Sequence, residues 1–298
     1  MRLRLPLRTG PEPPAESPPE SATPRVGGHH TAAAGIVPDV PPTAEMADLH
    51  GVRALVTGGT SGLGRAMAHA LVRAGAQTAI TSRDPGRADE AARQLGSGAV
   101  GIAMDVRDQA AVQAGIEDLL ARFGGVDLLV NNAGIGMRTV NPRFLSEAQP
   151  FWQVSPEGFR DVVDTKLTGC FLVARALVPR MLEAGGGQVV MISMNTATMT
   201  RRGFAPYGPA GAAVEALAGV MAADLAGTAV RVNTLLPGGA SATGMIPDDL
   251  PADMKARLLD PAVMGPPIVW LASPQAADVH GERIVAAEFD GWLAERSG

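Results

Sequence analysis

Cysteine is almost absent from this chain. The single residue, Cys170, excludes an internal disulfide framework and fits a reducing compartment, so a cytoplasmic location is expected. It lies in an apolar helical run, where a buried structural thiol is the expectation rather than a nucleophile. Long apolar runs are missing as well. None approaches the roughly 18 residues that a membrane span requires, and no membrane partner is expected. Concentrated charge is also lacking. The formal net charge is −5, and Lys and Arg are scattered apart from Arg201-Arg202, which gives no reason to expect nucleic acid. The histidines His29-His30, His69 and His280 form no ligand-like cluster, so no metal is expected. Aromatics are few, whereas hydrophobic residues reach 46%, enough for a large core in which alanine and glycine carry much of the packing.

Residues 1–45 differ in kind from the remainder. Runs such as Pro11-Glu12-Pro13-Pro14 and Pro41-Pro42 have no hydrophobic period and little to bury, so a disordered extension is expected over 1–45. Arg2, Arg4 and Arg8 raise the question of a targeting peptide, but no apolar stretch follows them. Met46 reads as the start of a complete domain, 46–298, with the preceding segment dispensable.

From residue 52 onward, short apolar strands alternate with helical patterns. Strands are expected at 53–57, 77–81, 99–103, 127–131, 188–193, 229–235 and 283–287. Helices are expected near 63–75, 86–95, 108–124, 156–184, 208–227 and 261–272. Such alternation requires crossover connections, and hence a doubly wound, Rossmann-like parallel sheet covered on both faces in a single α/β domain.

The stretch Leu55–Gly64 stands out within that pattern. A strand leads into a turn with glycines at 58, 59, 62 and 64, and a helix follows with Leu63, Met67, Ala70, Leu71 and Ala74 on one face. Strand, glycine turn and helix together present free N–H groups to a phosphate. The second strand ends at Thr81-Ser82-Arg83, with no acid at the strand end. In dinucleotide-binding folds an acid there accepts a ribose 2′-hydroxyl, whereas an Arg accommodates a 2′-phosphate. Arg83 therefore favours NADP(H), with NAD(H) left open because Asp84 is adjacent.

Three further stretches sharpen this pattern: Asp105-Val106 after the third strand, Asn131-Asn132-Ala133-Gly134 after the fourth, and Tyr207 ahead of a long helix. Together with Thr57-Gly58 and Gly62-Leu63-Gly64, the chain resembles the short-chain dehydrogenase/reductase family from about Leu49 to Val285. The resemblance implies a pyrophosphate cradle at Gly58, Gly62 and Gly64, with donors from Thr60, Ser61 and Leu63. It implies that Asp105 and Val106 meet the adenine, that Asn132, Ala133 and Gly134 pack along the ribose, and that Pro237 and Gly238 sit beside the nicotinamide. It further implies a substrate lid at Ala240–Asp260, and a homodimer or homotetramer built on the two longest helices.

The catalytic stretch departs from the family pattern. The family uses a Tyr, a Lys four residues later, a Ser thirteen residues earlier and an Asn in the preceding long helix. Here Tyr207 is kept, but Gly211 stands at the Lys position, Met194 at the Ser position and Lys166 at the Asn position. A one-residue slip brings Ser193 into the Ser role. A free phenol titrates near 10, and an adjacent cation brings it closer to working pH. Three readings follow: an impaired site, a rescued site in which Lys166 supplies the cation and Ser193, Thr196 or Thr198 the hydroxyl, or a Lys166 that is merely a solvated helix residue.

The leading expectation is an NAD(P)-dependent oxidoreductase on a small-molecule carbonyl/alcohol pair, with Tyr207 as proton donor or acceptor and Ser193 and Lys166 as its aids. The alternatives are a nucleotide-binding protein that has lost the chemistry, or a structural role with no ligand. Phe144, Phe151, Trp152, Met245 and Ile246 suggest an apolar substrate pocket. The segment Glu288–Trp292 covers either a neighbouring subunit or the parent core.

Overall fold

Among the described residues of a computed structural model, seven parallel strands and ten α-helices alternate. The structure describes residues 47–297, and the expectations for residues 1–45 and for a start at Met46 lie outside them. The strands are β1 (Arg53–Val56), β2 (Gln77–Ser82), β3 (Ala99–Ala103), β4 (Leu128–Asn131), β5 (Gly187–Ile192), β6 (Val230–Leu236) and β7 (Arg283–Val285). The helices are α1 (Gly62–Arg73), α2 (Pro85–Leu95), α3 (Gln109–Phe123), α4 (Pro156–Val163), α5 (Gly169–Glu183), α6 (Thr196–Met199), α7 (Tyr207–Asp224), α8 (Ala252–Lys255), α9 (Gly265–Leu271) and α10 (Phe289–Ser297).

The sheet order is β3-β2-β1-β4-β5-β6-β7. Val56 pairs with Ile80 on one side and Val130 on the other, so β1 lies at the point where the chain reverses its winding. Ligand crevices open at the carboxyl ends of the strands at such a point. Alternate residues of each strand feed opposite cores, as period-2 geometry dictates. Ala54 and Val56 join Met67 and Leu71 of α1 and Ile268 and Leu271 of α9. Leu55 joins Val112 and Ile116 of α3, Val173 and Leu177 of α5 and Val214 of α7. Both faces of the sheet are therefore covered, which accounts for nearly continuous apolar strands.

The short helices α6 and α8 lie outside the expected ones, and two larger departures from the sequence expectation follow. The helix expected over 156–184 is interrupted by a turn of π-helix at Asp164–Thr168, which joins α4 to α5. Its hydrophobic period runs through the interruption, so periodicity alone reads one helix. The final helix α10 has a weak apolar pattern, yet Phe289 and Trp292 dock on Trp270 of α9 at 5.9 and 5.5 Å between ring centroids. The segment Glu288–Trp292 thus covers the parent core. No helix among the described residues is long and apolar enough to cross a membrane.

Candidate active site

The cleft at the reversal point has a volume of about 580 Å³. Its floor is the turn between β1 and α1, and that turn is tied down from two strands, β2 and β4. Thr57 N donates to the Val130 carbonyl at 3.0 Å, while Thr57 Oγ1 accepts from Asn132 N and Ala133 N at 2.9 and 3.0 Å. Gly58 N donates to Thr81 Oγ1 at 3.1 Å. The Asn132 amide donates to the carbonyls of Thr57 and Gly58 at 2.9 and 3.2 Å. The turn needs glycine at two kinds of position. Gly58 and Gly62 have φ of +63° and +54°, the left-handed region. At Gly64, a Cβ would lie 2.4 Å from Asn132 Nδ2 and 2.5 Å from the Gly58 carbonyl.

The Ser61 side chain makes no capping hydrogen bond at the start of α1. The first N–H groups of α1 are therefore without intrahelical partners, and Ser61, Gly62, Leu63 and Gly64 line the cleft there. Free N–H groups at a helix start, a turn too tight for side chains and a cleft wall together fit a pyrophosphate.

At the adenosine end, Ser82, Arg83 and Arg87 line the cleft. Asp84 is already engaged, since its carboxylate accepts from Arg87 N at 3.0 Å and caps α2. Asp105 lines the same end and is gripped by Arg107, with Nη2 to Oδ2 at 2.8 Å. The Arg107 hydrogen bond holds the Asp105 carboxyl below the usual carboxylate range, against the opposing effect of burial.

At the opposite end, Tyr207 begins α7 and shares a small cluster with Met137, Phe144 and Phe204. Lys166 sits in the π-helical turn with only 7% of its surface exposed. Its Nζ lies 5.4 Å from the centroid of the Tyr207 ring. Among the described residues it has no hydrogen-bond or ion-pair partner. The Met194 side chain occupies the room beside Gly211, so that a Cβ there would lie 2.4 Å from Met194 Cε.

Ser193 is buried, and its hydroxyl donates to Glu215 Oε1 at 2.7 Å. Glu215 also accepts from Arg283 Nε at 3.0 Å, and Arg283 Nη2 donates to the Met194 carbonyl at 3.1 Å. The Ser193 hydroxyl is thus part of a structural network joining β5, α7 and β7.

The segment expected as a lid, 240–260, lies against Tyr207. Met245 Sδ lies 3.9 Å from the Tyr207 hydroxyl. Arg138 holds the lid by donating to the carbonyls of Gly244 and Ile246, both at 3.1 Å, and to Asp248 Oδ2 at 2.8 Å.

The structure brings Gly58, Thr60, Ser61, Gly62, Leu63, Gly64, Arg83, Asp105, Val106, Asn132, Ala133, Gly134, Lys166, Ser193, Tyr207 and Pro237 onto one cleft wall. Gly238 is the exception and requires a correction. Pro237 and Gly239 line the cleft, whereas Gly238 packs against Val285 and Ala287, where a Cβ would come within 2.9 Å. Its carbonyl is held by Asn195 Nδ2 at 2.8 Å. Asn132 also behaves differently from the expectation, because its amide braces the glycine turn. Sequence reading missed Thr57, Thr81, Asn195 and Arg138, whose roles are hydrogen bonds between segments far apart in the chain.

Fold and cleft together define a doubly wound α/β protein with a Rossmann-like dinucleotide crevice. A family model described as short chain dehydrogenase matches residues 53–252, and the chain belongs to that family. The 3-oxoacyl-(acyl-carrier-protein) reductase FabG of Vibrio harveyi is 31% identical over 244 residues, 80% of this chain and 96% of the relative. A D-threitol dehydrogenase of Mycolicibacterium smegmatis is 37% identical over 192 residues, 63% of this chain and 70% of the relative. Among solved structures, a 3-ketoacyl-(acyl-carrier-protein) reductase from Brucella melitensis complexed with NADH superposes with a TM-score of 0.71. It is 31% identical, covering 80% of this chain and 97% of that one.

Proposed function

We propose that this chain is an NADP(H)-preferring oxidoreductase that interconverts a small-molecule carbonyl and its alcohol, using Tyr207 with Lys166. The observation that carries the reading is Lys166, a largely buried residue that lines the cleft and places its Nζ 5.4 Å from the centroid of the Tyr207 ring.

The nicotinamide cofactor, when bound, supplies or accepts the hydride. The chain's own residues do the rest. The turn at Gly58–Gly64 and the start of α1 hold the pyrophosphate, and Arg83 with Arg87 takes the 2′-phosphate. Asp105 and Val106 face the adenine. Ala133 and Gly134 flank the ribose, Asn132 braces the glycine turn, and Pro237 borders the nicotinamide. Lys166 places its ammonium beside the Tyr207 ring and offers it to the nicotinamide ribose. Tyr207 then moves the proton to or from the substrate oxygen. Thr198 supplies the polarising hydroxyl in place of Ser193. It lines the cleft, and its hydroxyl has no hydrogen bond among the described residues. Gly211 needs no lysine in this arrangement, because Met194 fills that space.

A nucleotide-binding protein without catalysis is the second reading. It is favoured by Met194 at the usual Ser position and by the engagement of Ser193 with Glu215. A homodimer or homotetramer is part of the proposal, supported by exposed Phe171 on α5 and Val220 on α7. The buried single cysteine supports a cytoplasmic location.

Oxidation of NADPH and NADH with a ketone panel tests the reading. Turnover that prefers NADPH and falls by about 10²–10⁴ in Tyr207→Phe supports it. NADPH binding with no turnover on any ketone or alcohol supports the second reading.

A further inference from the structure

We infer that the reaction end of the cleft takes a substrate bearing an oxyanion, a carboxylate or a phosphate, joined by an apolar body to the reacting carbonyl, with Arg201 as the anchor of that anion. The inference rests on the carbonyl/alcohol reading of the cleft and names its substrate class.

The chain is formally −5, yet the cleft wall is cationic. Arg83, Arg87, Arg138, Arg201 and Lys166 line it, against one carboxylate, Asp105, among the described residues. A cleft lined by one sign of charge raises the local concentration of ligands of the other sign. These cations have different standing. Arg83 and Arg87 belong to the adenosine end, and Lys166 to Tyr207. Arg138 is already engaged with two lid carbonyls and Asp248. Arg201 is left over. Among the described residues its guanidinium has neither hydrogen bond nor ion pair.

Arg201 is nevertheless held in place. Its Cζ lies 4.8 Å from the centroid of the Phe204 ring. Phe204 is buried and meets Phe144 edge-on at 5.5 Å, so the platform under the guanidinium is fixed. The backbone closes the same turn, with Phe204 N donating to the Arg201 carbonyl at 3.1 Å. A guanidinium held over a ring keeps its N–H donors available for bidentate contact with an oxyanion. Tyr207 follows Phe204 by three residues, and Met137, Phe144, Met245 and Ile246 make the surrounding wall apolar. A proton donor, an apolar stretch and a pinned free guanidinium describe a ligand with a carbonyl, an apolar body and an anion.

The test uses the full-length chain, NADPH and three matched ketones: an oxo acid, its methyl ester and the corresponding oxoalkyl phosphate. A kcat/KM about tenfold or more above that of the ester is expected for at least one anionic member, expressed mainly in KM. That preference should collapse to about one in Arg201→Met and persist in Arg202→Met. Preference for the acid alone assigns a carboxylate, and preference for the phosphate alone assigns a phosphate ester. A wild-type ratio near one, or a preference that survives Arg201→Met, overturns the inference and leaves the carbonyl reading intact. If wild type reduces none of the three, the carbonyl reading fails instead. Calorimetric titration of the acid and the phosphate into the NADP⁺-loaded chain then decides the anchor alone. Binding lost in Arg201→Met supports it, whereas equal binding in both proteins, or none in wild type, overturns it.

Discussion

The two ends of the cleft are held by different means. At the glycine turn, Thr57, Thr81 and Asn132 bond mainly to backbone groups, and the geometry tolerates almost no side chain at Gly58 or Gly64. At the Tyr207 end the arrangement rests on side chains from several elements. Lys166 comes from the π-helical turn, Met194 from the end of β5 and Met245 from the lid. A backbone cradle leaves little freedom for substitution, because its donors are the chain itself. A side-chain site can place the same charge from another element. Under the proposed function, Lys166 in place of the family's lysine at the position of Gly211 is an instance of that freedom.

If this contrast is right, substitutions at the two ends should fail in different ways. The largest effect is expected at the side-chain end. Tyr207→Phe should lower kcat by about 10²–10⁴ while leaving the melting temperature close to wild type, because only a proton-transfer group is removed. Steady-state rates and calorimetry on the same sample check both halves.

Next comes the backbone end. In Gly64→Ala the new Cβ meets Asn132 Nδ2 at 2.4 Å and the Gly58 carbonyl at 2.5 Å, and the second of these cannot move aside. Overpacking of this kind costs about 1–3 kcal/mol. NADPH fluorescence titration should show binding lost and thermal melting a lowered midpoint. Gly211→Ala offers the opposite case, because its obstacle is the flexible end of Met194. A near-neutral Gly211→Ala beside a damaged Gly64→Ala would sharpen the contrast, and equal damage would break it.

A smaller, pH-dependent effect is expected away from both ends. Arg53 anchors β1 to Asp127, with Nη2 to Oδ1 at 2.7 Å and Nε to Oδ2 at 2.8 Å. Burial pushes the Asp127 carboxyl up, but the Arg53 hydrogen bonds and charge outweigh it and hold the group below its ordinary value. A carboxyl lowered in the folded state adds stability above its unfolded pKa, near 3.9, and that stability is lost as pH falls through the folded value. Both groups are partly exposed, so the contribution is about 0.5–1 kcal/mol after solvent screening. Urea midpoints of wild type and Arg53→Met should differ at neutral pH and converge at the acid end.

The smallest effect concerns Cys170. Burial pushes its thiol up to about 11, so a thiol reagent at pH 8 should leave the folded chain unlabelled and label it once unfolded.

Much of this architecture was legible in the residues. The strands fell where apolar runs alternate with helical periods, and the glycine turn was readable because glycine spacing reports backbone geometry directly. The π-helical turn was not, because one extra residue per turn hardly disturbs the apolar period of 156–184. Gly238 was misplaced by its neighbours, since Pro237 and Gly239 face the cleft and Gly238 faces Val285 and Ala287. The engagement of Ser193 with Glu215 depends on residues 22 apart in sequence, and the Arg138 latch on residues more than 100 apart. No local pattern records contacts of that kind.

The most direct measurement is single-turnover hydride transfer at saturating NADPH, comparing wild type with Lys166→Met and Gly211→Lys. The expected result is a wild-type rate that falls at least about a hundredfold in Lys166→Met and does not rise in Gly211→Lys. A Lys166→Met rate within about twofold of wild type, or a Gly211→Lys rate raised by orders of magnitude, would contradict the claim that Lys166 supplies the active-site cation.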